Sequence, residues 1–415
     1  MLARIDKIYR EFPAKFWVVV AAAFVDRVGG NMLFPFFTLY VTQKFGIGMT
    51  QAGALLGVYS IFGFLGNMLG GALTDRFGRK RILLFGLVFS ALSAVSLGLA
   101  NRLWVMYLLS VAVGLLSDIA GPAWQAMIAD LLPEKQRTEG FGVLRVTANL
   151  SWIVGPVLAG LLASRSFMLL FGADAVTSLL TALIILRAIP ETKPQPAAGE
   201  QPAEPPEETL LDSLGGYRKV FQDRLFIAYI AASVLMTVVY VQMYSTLSVY
   251  LRDNHGVAPQ QFGFLLTSSA ITVVLLQFWV TRRIKNYAPM LMMALGAFFY
   301  MIGFGMFGFV SAYALFVLAI VLITLGEMIV MPVSQALAAN FAPEDMRGRY
   351  MAVFGLVWGV PGIIGPVAAG LVMDNFNPNW VWYLGGLLCA AAAVGFLLLQ
   401  RAAGRRFPPE PEPAD

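Results

Sequence analysis

Six ionisable side chains stand in stretches that are otherwise apolar: Asp26, Arg27, Asp118, Arg145, Asp174 and Glu327. A charge at the centre of a lipid-embedded helix costs about 2.5–3.5 kcal/mol even on the lenient insertion scale. Each of these groups therefore needs a partner, water or a proton, and a carboxyl so placed can load and release a proton. Glu327 is the strongest candidate, because it has Met328, Met331 and Pro332 around it and no base within a helical turn of its own chain. Asp118 shares a helical face with Pro122 and Gln125, and Asp26 precedes Gly29, Gly30 and Asn31. Glu327, Asp118 and Asp26 are thus the expected proton-coupling residues. Adjacent Asp26 and Arg27 point about 100° apart on a helix, so each is expected to pair with another helix. Asp174 is a weaker candidate, and Arg145 sits one turn inside its helix, close enough to reach the interface. His255, in a loop, is expected to be solvated.

Other chemistries are excluded. A single histidine and a single cysteine, Cys389, form no metal cluster and no disulfide, and no nucleophile–base pair is evident. The chain is not expected to be an enzyme, to hold a metal or to need a cofactor; a proton gradient would supply the energy. Nucleic acid is not expected either, since the net charge of +5 is dispersed over short loops.

The elements that must position these groups are long apolar helices. Of the 415 residues, 58% are hydrophobic and 13% charged, with a mean hydropathy of +0.72; soluble domains run near 25% charged. A bilayer takes about 20 apolar residues per helix, and twelve runs qualify: 16–42, 50–73, 81–100, 103–129, 141–164, 167–190, 225–251, 261–281, 289–310, 313–341, 350–373 and 380–400. The first run is too long for a signal-peptide core and reads as a retained helix. Of the 29 lysines and arginines, 23 fall on segments of one side, 4 on the other and 2 within helices, and the positive-inside rule makes the richer side cytoplasmic, with both termini there. The expected organisation is a six-helix half over 1–190, a cytoplasmic linker over 191–224, a second six-helix half over 225–400 and a cytoplasmic tail over 401–415. Within the linker, proline- and glutamate-rich 191–209 reads as a flexible tether, and 215–224 as a short surface helix. The proline- and acid-rich tail from Pro408 reads as disordered.

The halves repeat at an offset of 210 residues. Tyr40 faces Tyr250, Gly46 faces Gly256, Gly53 faces Gly263, Pro122 faces Pro332, and Gly155-Pro156 with Gly160 faces Gly365-Pro366 with Gly370. Ser117 faces Glu327, so Asp118 is nearly its repeat-mate. Transporters built from two such parallel halves bind substrate near the midplane and rock to expose it to each side.

The turn between the second and third runs, Gly71-Ala72-Leu73-Thr74-Asp75-Arg76-Phe77-Gly78-Arg79-Lys80, resembles the signature G-x-L-x-D-R-x-G-R-K of the major facilitator superfamily at every defined position. The resemblance covers roughly residues 10–400 and implies an all-α membrane fold of twelve helices in two six-helix pseudo-repeated halves. It also implies a conformational latch of Gly71, Asp75, Arg76, Gly78, Arg79 and Asp130. In it Asp75 caps the eleventh helix near Tyr350, and Arg79 pairs with Asp130 at the end of the fourth. The equivalent turn in the second half, Thr281 to Pro289, keeps bases but lacks the acid–glycine pattern. The fifth helix resembles the antiporter motif of the family through Gly142, Gly155, Pro156 and Gly160, with Ser151 and Ala159 in place of two glycines. Its core recurs at Gly365, Pro366 and Gly370, which suggests helix packing between the halves as much as a code for antiport. Many drug exporters of the family carry an arginine four residues before the equivalent of Gly114, where this chain has Ser110.

The expected substrate contacts are Arg27, Asn31, Tyr240, Gln242, Tyr244, Met328, Met331 and Trp358, since methionine and aromatic surfaces adapt to varied apolar ligands. The resulting expectation is a secondary active transporter of the drug–proton antiporter branch. It would export lipophilic or amphipathic small molecules through the cell (inner or plasma) membrane by alternating access, with protons and membrane lipids as its other partners, as a monomer. A proton-coupled nutrient symporter and a lipid or lysolipid flippase of the same fold are the alternatives.

Overall fold

Pro35 has no N–H to give to an α-helical ladder, and at that point the first helix tightens into a 3₁₀ turn over Phe34–Phe36 before resuming as α-helix to Phe45. Gly46 then closes it with a left-handed φ of 62°, and its repeat-mate Gly256 does the same at 64° after the seventh helix. Such local signals divide the chain into helices long enough to cross a bilayer. In this computed structural model, residues 11–117, 119–193, 217–343 and 346–403 are described. Twelve helices have that length and apolarity: α1 (Ala14–Phe45), α2 (Met49–Phe77), α3 (Arg79–Leu99), α4 (Leu103–Leu131), α5 (Glu139–Ala163), α6 (Phe167–Ala188), α7 (Arg224–Ser245), α8 (Pro259–Ile284), α9 (Pro289–Met306), α10 (Tyr313–Phe341), α11 (Arg347–Asn375) and α12 (Trp380–Ala402). Among the described residues there is no strand. The fold is all-α, as the twelve apolar runs required, and the protein is a multi-pass membrane protein. Helices satisfy their own backbone hydrogen bonds, the condition for crossing hydrocarbon. Large apolar side chains such as Leu275, Phe278 and Trp279 on α8 stand exposed, a face that suits lipid and not water.

The helices fall into two compact units. Unit 1 comprises Met1–Ile47, Ala54–Gln201 and Gly256–Thr267; unit 2 comprises Gly48–Gly53, Pro202–His255 and Ser268–Asp415. Each unit thus takes in the first turns of one further helix, α8 in unit 1 and α2 in unit 2. The glycines explain how. A methyl group at Gly263 would lie 2.4 Å from the Pro156 carbonyl oxygen, and one at Gly160 would lie 2.9 Å from Gln260 Cα. The repeat-mates do the same in unit 2: a methyl group at Gly53 would lie 2.5 Å from the Pro366 carbonyl, and one at Gly370 2.5 Å from Thr50 N. Only hydrogen at these positions lets backbone touch backbone. Unit 2 adds a carboxylate: Asp374 accepts from Met49 N at 2.9 Å and Thr50 N at 2.8 Å, capping the start of α2.

Unit 1 is cored by Phe16, Val19, Leu83, Ala123, Met127 and Ile185, drawn from α1, α3, α4 and α6. Unit 2 is more aromatic, with Tyr229, Tyr250, Tyr300, Phe304, Phe307, Phe316 and Trp382 fully buried. Its tyrosines are mostly satisfied: Tyr229 Oη donates to the Ser334 carbonyl at 2.8 Å and Tyr250 Oη to the Phe307 carbonyl at 2.7 Å. His255 is not solvated as expected. It is half-buried, with Nε2 3.2 Å from Tyr250 Oη and its ring edge-on to Phe316, and burial holds its basicity below the ordinary imidazole range. Residues 217–222 form the short helix expected before α7. Most of the proposed tether and the tail from 404 onward lie outside the described residues.

Candidate functional site

Glu327 lies midway along α10, on the side that meets α7 and α9. Gly326 beside it has no side chain, which lets α9 approach: a methyl group there would sit 2.8 Å from both the Gly296 carbonyl oxygen and the Tyr300 ring. That approach brings Tyr300 Oη into the electrostatic neighbourhood of the Glu327 carboxyl, together with Tyr240 and Tyr244 of α7. The two α7 hydroxyls are 3.3 Å apart. The Tyr240 ring stacks on Tyr300 at 5.6 Å and meets the Trp358 indole edge-on at 5.9 Å. Glu327 Oε2 and Tyr300 Oη are both buried without a hydrogen-bond partner among the described residues. Among the described residues no base forms an ion pair with Glu327. An acid without a cation, ringed by phenols that can donate to it, can change its protonation state without breaking a salt bridge.

Of the expected contacts in unit 2, Tyr240 and Tyr244 lie near Glu327, Trp358 packs against the Tyr240 ring, and Met331 is half-buried. Trp358 is 41% exposed, which leaves apolar surface available to a ligand. Two expectations are corrected. Gln242 is buried with both ends of its amide engaged in its own helix: Nε2 donates to the Val238 carbonyl at 2.8 Å, and Oε1 accepts from Ser245 and Thr246. It is a packing residue beneath Gly365. Met328 points the other way along α10, into a core cluster with Val280, Ile284 and Met292, because one residue's step turns it about 100° from Glu327. Tyr300 was missed: from sequence alone nothing distinguishes it from the other tyrosines.

In unit 1, Asp26 accepts from Ser178 Oγ at 3.5 Å and lies in the field of Asp174 on α6 and Arg27 beside it. Gly29 makes this possible, since a methyl group there would strike Thr177 and come within 2.8 Å of Asp174 Oδ1. Asp174, a weaker candidate from the sequence, is therefore the partner acid of Asp26. Arg27 is exposed on its unit's surface. Asn31 Nδ2 donates to Ser151 Oγ at 2.8 Å, and Gly155 abuts Asn31, so the small residues of α5 seat α1. Gly142 is corrected as a packing residue: a methyl group there would meet nothing within 4 Å. Asp118 lies outside the described residues.

The charged turn is a four-helix clasp. Gly78 takes a left-handed φ of 98°, which aims the following N–H groups outward from the start of α3. Arg79 Nε bonds Asp130 Oδ2 at 3.0 Å, joining α3 to the end of α4, and Arg79 Nη1 lies 3.5 Å from Asp75 on α2. Lys80 Nζ donates to the Leu186 carbonyl at the end of α6. Arg76 lies over the Phe77 ring, and Gly71 has open space around it. Asp75 is 77% exposed. An acid that caps a helix here is Glu191, placed by sequence in the tether. It accepts from Arg79 N at 2.8 Å, Lys80 N at 3.4 Å, Thr192 N at 3.0 Å and Lys193 N at 3.1 Å. Burial alone would push its pKa up, but the four backbone donors together outweigh it and hold the carboxyl below its ordinary range.

Comparison with known proteins agrees with this architecture. The "Na(+), Li(+), K(+)/H(+) antiporter" of Planococcus maritimus is 28% identical over 89% of this chain and 91% of its own. "Multidrug resistance protein MdtH" of Shigella flexneri is 24% identical over 92% and 93%. A crystal structure of the nucleoside transporter NupG superposes with a TM-score of 0.79 at 13% identity over 93% of this chain and 99% of that one, a likeness of fold. The sequence matches the Major Facilitator Superfamily over residues 19–366 and again over 241–414. With twelve helices, an internal repeat and the signature turn, the chain belongs to the Major Facilitator Superfamily of transporters.

Proposed function

We propose that the protein is a proton-coupled antiporter that exports lipophilic or amphipathic small molecules across the cell membrane, with both termini cytoplasmic. The observation that carries this reading is Glu327: a carboxyl in mid-span with one oxygen unpartnered, three phenols around it and no cation paired to it among the described residues. Ionised, it accepts from tyrosine hydroxyls and favours a cationic or polar-headed substrate against Trp358 and Met331. Protonated, it loses that attraction and substrate leaves. Binding energy that differs between two states is what a ligand needs to drive a conformational change. Asp26 and Asp174 are a second place where a proton can be held. In this reading Asp75 is the movable part of the latch, and the Arg79–Asp130 pair is the fixed part.

Transport into vesicles of purified protein, under pH gradients of both signs, tests the proposal. Export requires that a lipophilic dye move against the proton flow; movement with it would support a nutrient symporter, and no dependence on the gradient a flippase. A second reading, exchange of a monovalent metal cation for protons, is favoured by the name of the Planococcus maritimus relative. A sodium or potassium gradient applied to the same vesicles separates it, since only that activity acidifies or alkalinises the lumen without dye.

A further inference from the structure

Unit 1 contains a cavity of about 220 Å³ lined by α1, α2, α3, α4 and α6. Gly30 and Phe34 (45% exposed), on either side of the start of the 3₁₀ turn at Pro35, are exposed residues of its lining. Phe37, Leu56, Leu97 and Val113 make an apolar wall. Asp174, 7% exposed, also lines it, with no hydrogen bond or ion pair to its carboxyl oxygens among the described residues. Ser93 Oγ, also on the wall, is buried and has no partner.

The repeat shows which side chains make room for it. Two of its wall residues are small, Ser90 on α3 and Ser110 on α4. At the offset of 210 their mates in unit 2 are Tyr300 and Ile320, both fully buried. At these two places unit 2 carries large buried side chains where unit 1 carries small ones. A buried carboxylate is costly unless a charged or hydrogen-bonding group meets it, and a cationic ligand is such a group.

We propose that this cavity is a binding site for an arylalkylammonium: one aromatic ring with a short protonated amine arm. The size fits, because a cavity of about 150 Å³ holds benzene and the extra room takes a two-carbon arm and its ammonium. The ring meets Phe34, Phe37 and Leu97, while the ammonium donates to Asp174. A bare metal ion fits poorly. It would need about six oxygen ligands, and most of the wall is carbon. The site is separate from Glu327, and although Asp174 also belongs to the proton-holding pair proposed above, binding of the amine does not require transport in either direction.

Calorimetric titration of the purified full chain in nanodiscs with phenethylammonium chloride, and with 2-phenylethanol as the neutral analogue, tests the assignment. Saturable one-to-one binding of the amine is expected. Asp174→Asn should weaken it roughly 30-fold, the low end of what a lost partner costs a buried charge pair, while leaving the alcohol's affinity unchanged. Ser110→Ile, which copies the residue the repeat already carries, should abolish binding of both while the protein keeps its melting temperature. No saturable binding to wild type, undiminished binding to Asp174→Asn or to Ser110→Ile, or displacement of the amine by millimolar sodium would each overturn the proposal.

Discussion

Replacing Glu191 by alanine removes the acceptor that closes the start of α3. The first four N–H groups of a helix have no partner within it, and here two of them, Arg79 N and Lys80 N, are given to one carboxylate. Loss of a side-chain cap costs typically about 1 kcal/mol, within a range of about 0.5–2. For a unit of roughly 200 residues that corresponds to a fall of about 2–4 °C in melting temperature. Glu191→Gln keeps an oxygen but loses the charge at the helix N-terminus, and should cost only the dipole part, about 0.3–1 kcal/mol. The pH dependence follows from the direction of the shift. The carboxyl is held below its ordinary value of 4.5, so its contribution is fully present above that pH and is lost as pH falls through the lower value of the folded state. Thermal unfolding of wild type, Glu191→Gln and Glu191→Ala from neutral pH down through the carboxylate range should show wild type and Glu191→Gln converging at the acid end, with Glu191→Ala remaining below both. An alanine variant that melts with wild type at neutral pH would refute the reasoning, because Glu191 would then cap nothing that matters to stability.

Three further expectations come from close contacts. Gly326→Val drives carbon into the Gly296 carbonyl and the Tyr300 ring; overpacking of this kind costs about 1–3 kcal/mol, and the variant should both melt earlier and lose pH-driven transport, as read by a thiol-reactive melting assay and vesicle uptake. Gly263→Leu and Gly53→Leu, repeat-mates that each touch a proline carbonyl, should impair transport to a similar degree, whereas Gly142→Leu, which meets nothing, should leave it unchanged. Asp75→Asn should leave stability within about 0.5 kcal/mol of wild type, as an exposed substitution does, yet slow transport if Asp75 is the moving part of the latch; an unchanged rate would remove it from that role.

The twelve spans could be read from sequence because hydrocarbon demands length and apolarity from every crossing helix. The repeat could be read because glycine and proline keep their register wherever backbones touch. What could not be read was side-chain company across helices. Met328 and Glu327 are neighbours in sequence yet face a core cluster and a ring of phenols respectively, and Gln242 spends its amide on its own helix. Tyr300 and Asp174 matter through positions set by Gly326 and Gly29, two glycines whose importance is visible only once the opposing helix is in place. Glu191 was hidden by composition: it begins a proline- and acid-rich stretch, and nothing local marks it as the cap of a helix that starts 112 residues earlier.

The central claim is that Glu327 carries the coupling proton. Vesicles holding wild type, Glu327→Asp or Glu327→Gln, loaded with a lipophilic dye such as ethidium, measure it directly. Under an imposed pH gradient wild type should move dye against the proton flow, Glu327→Asp should do so more slowly, and Glu327→Gln should not respond to the gradient while still exchanging dye down its own concentration difference. Full gradient-driven transport by Glu327→Gln would contradict the account.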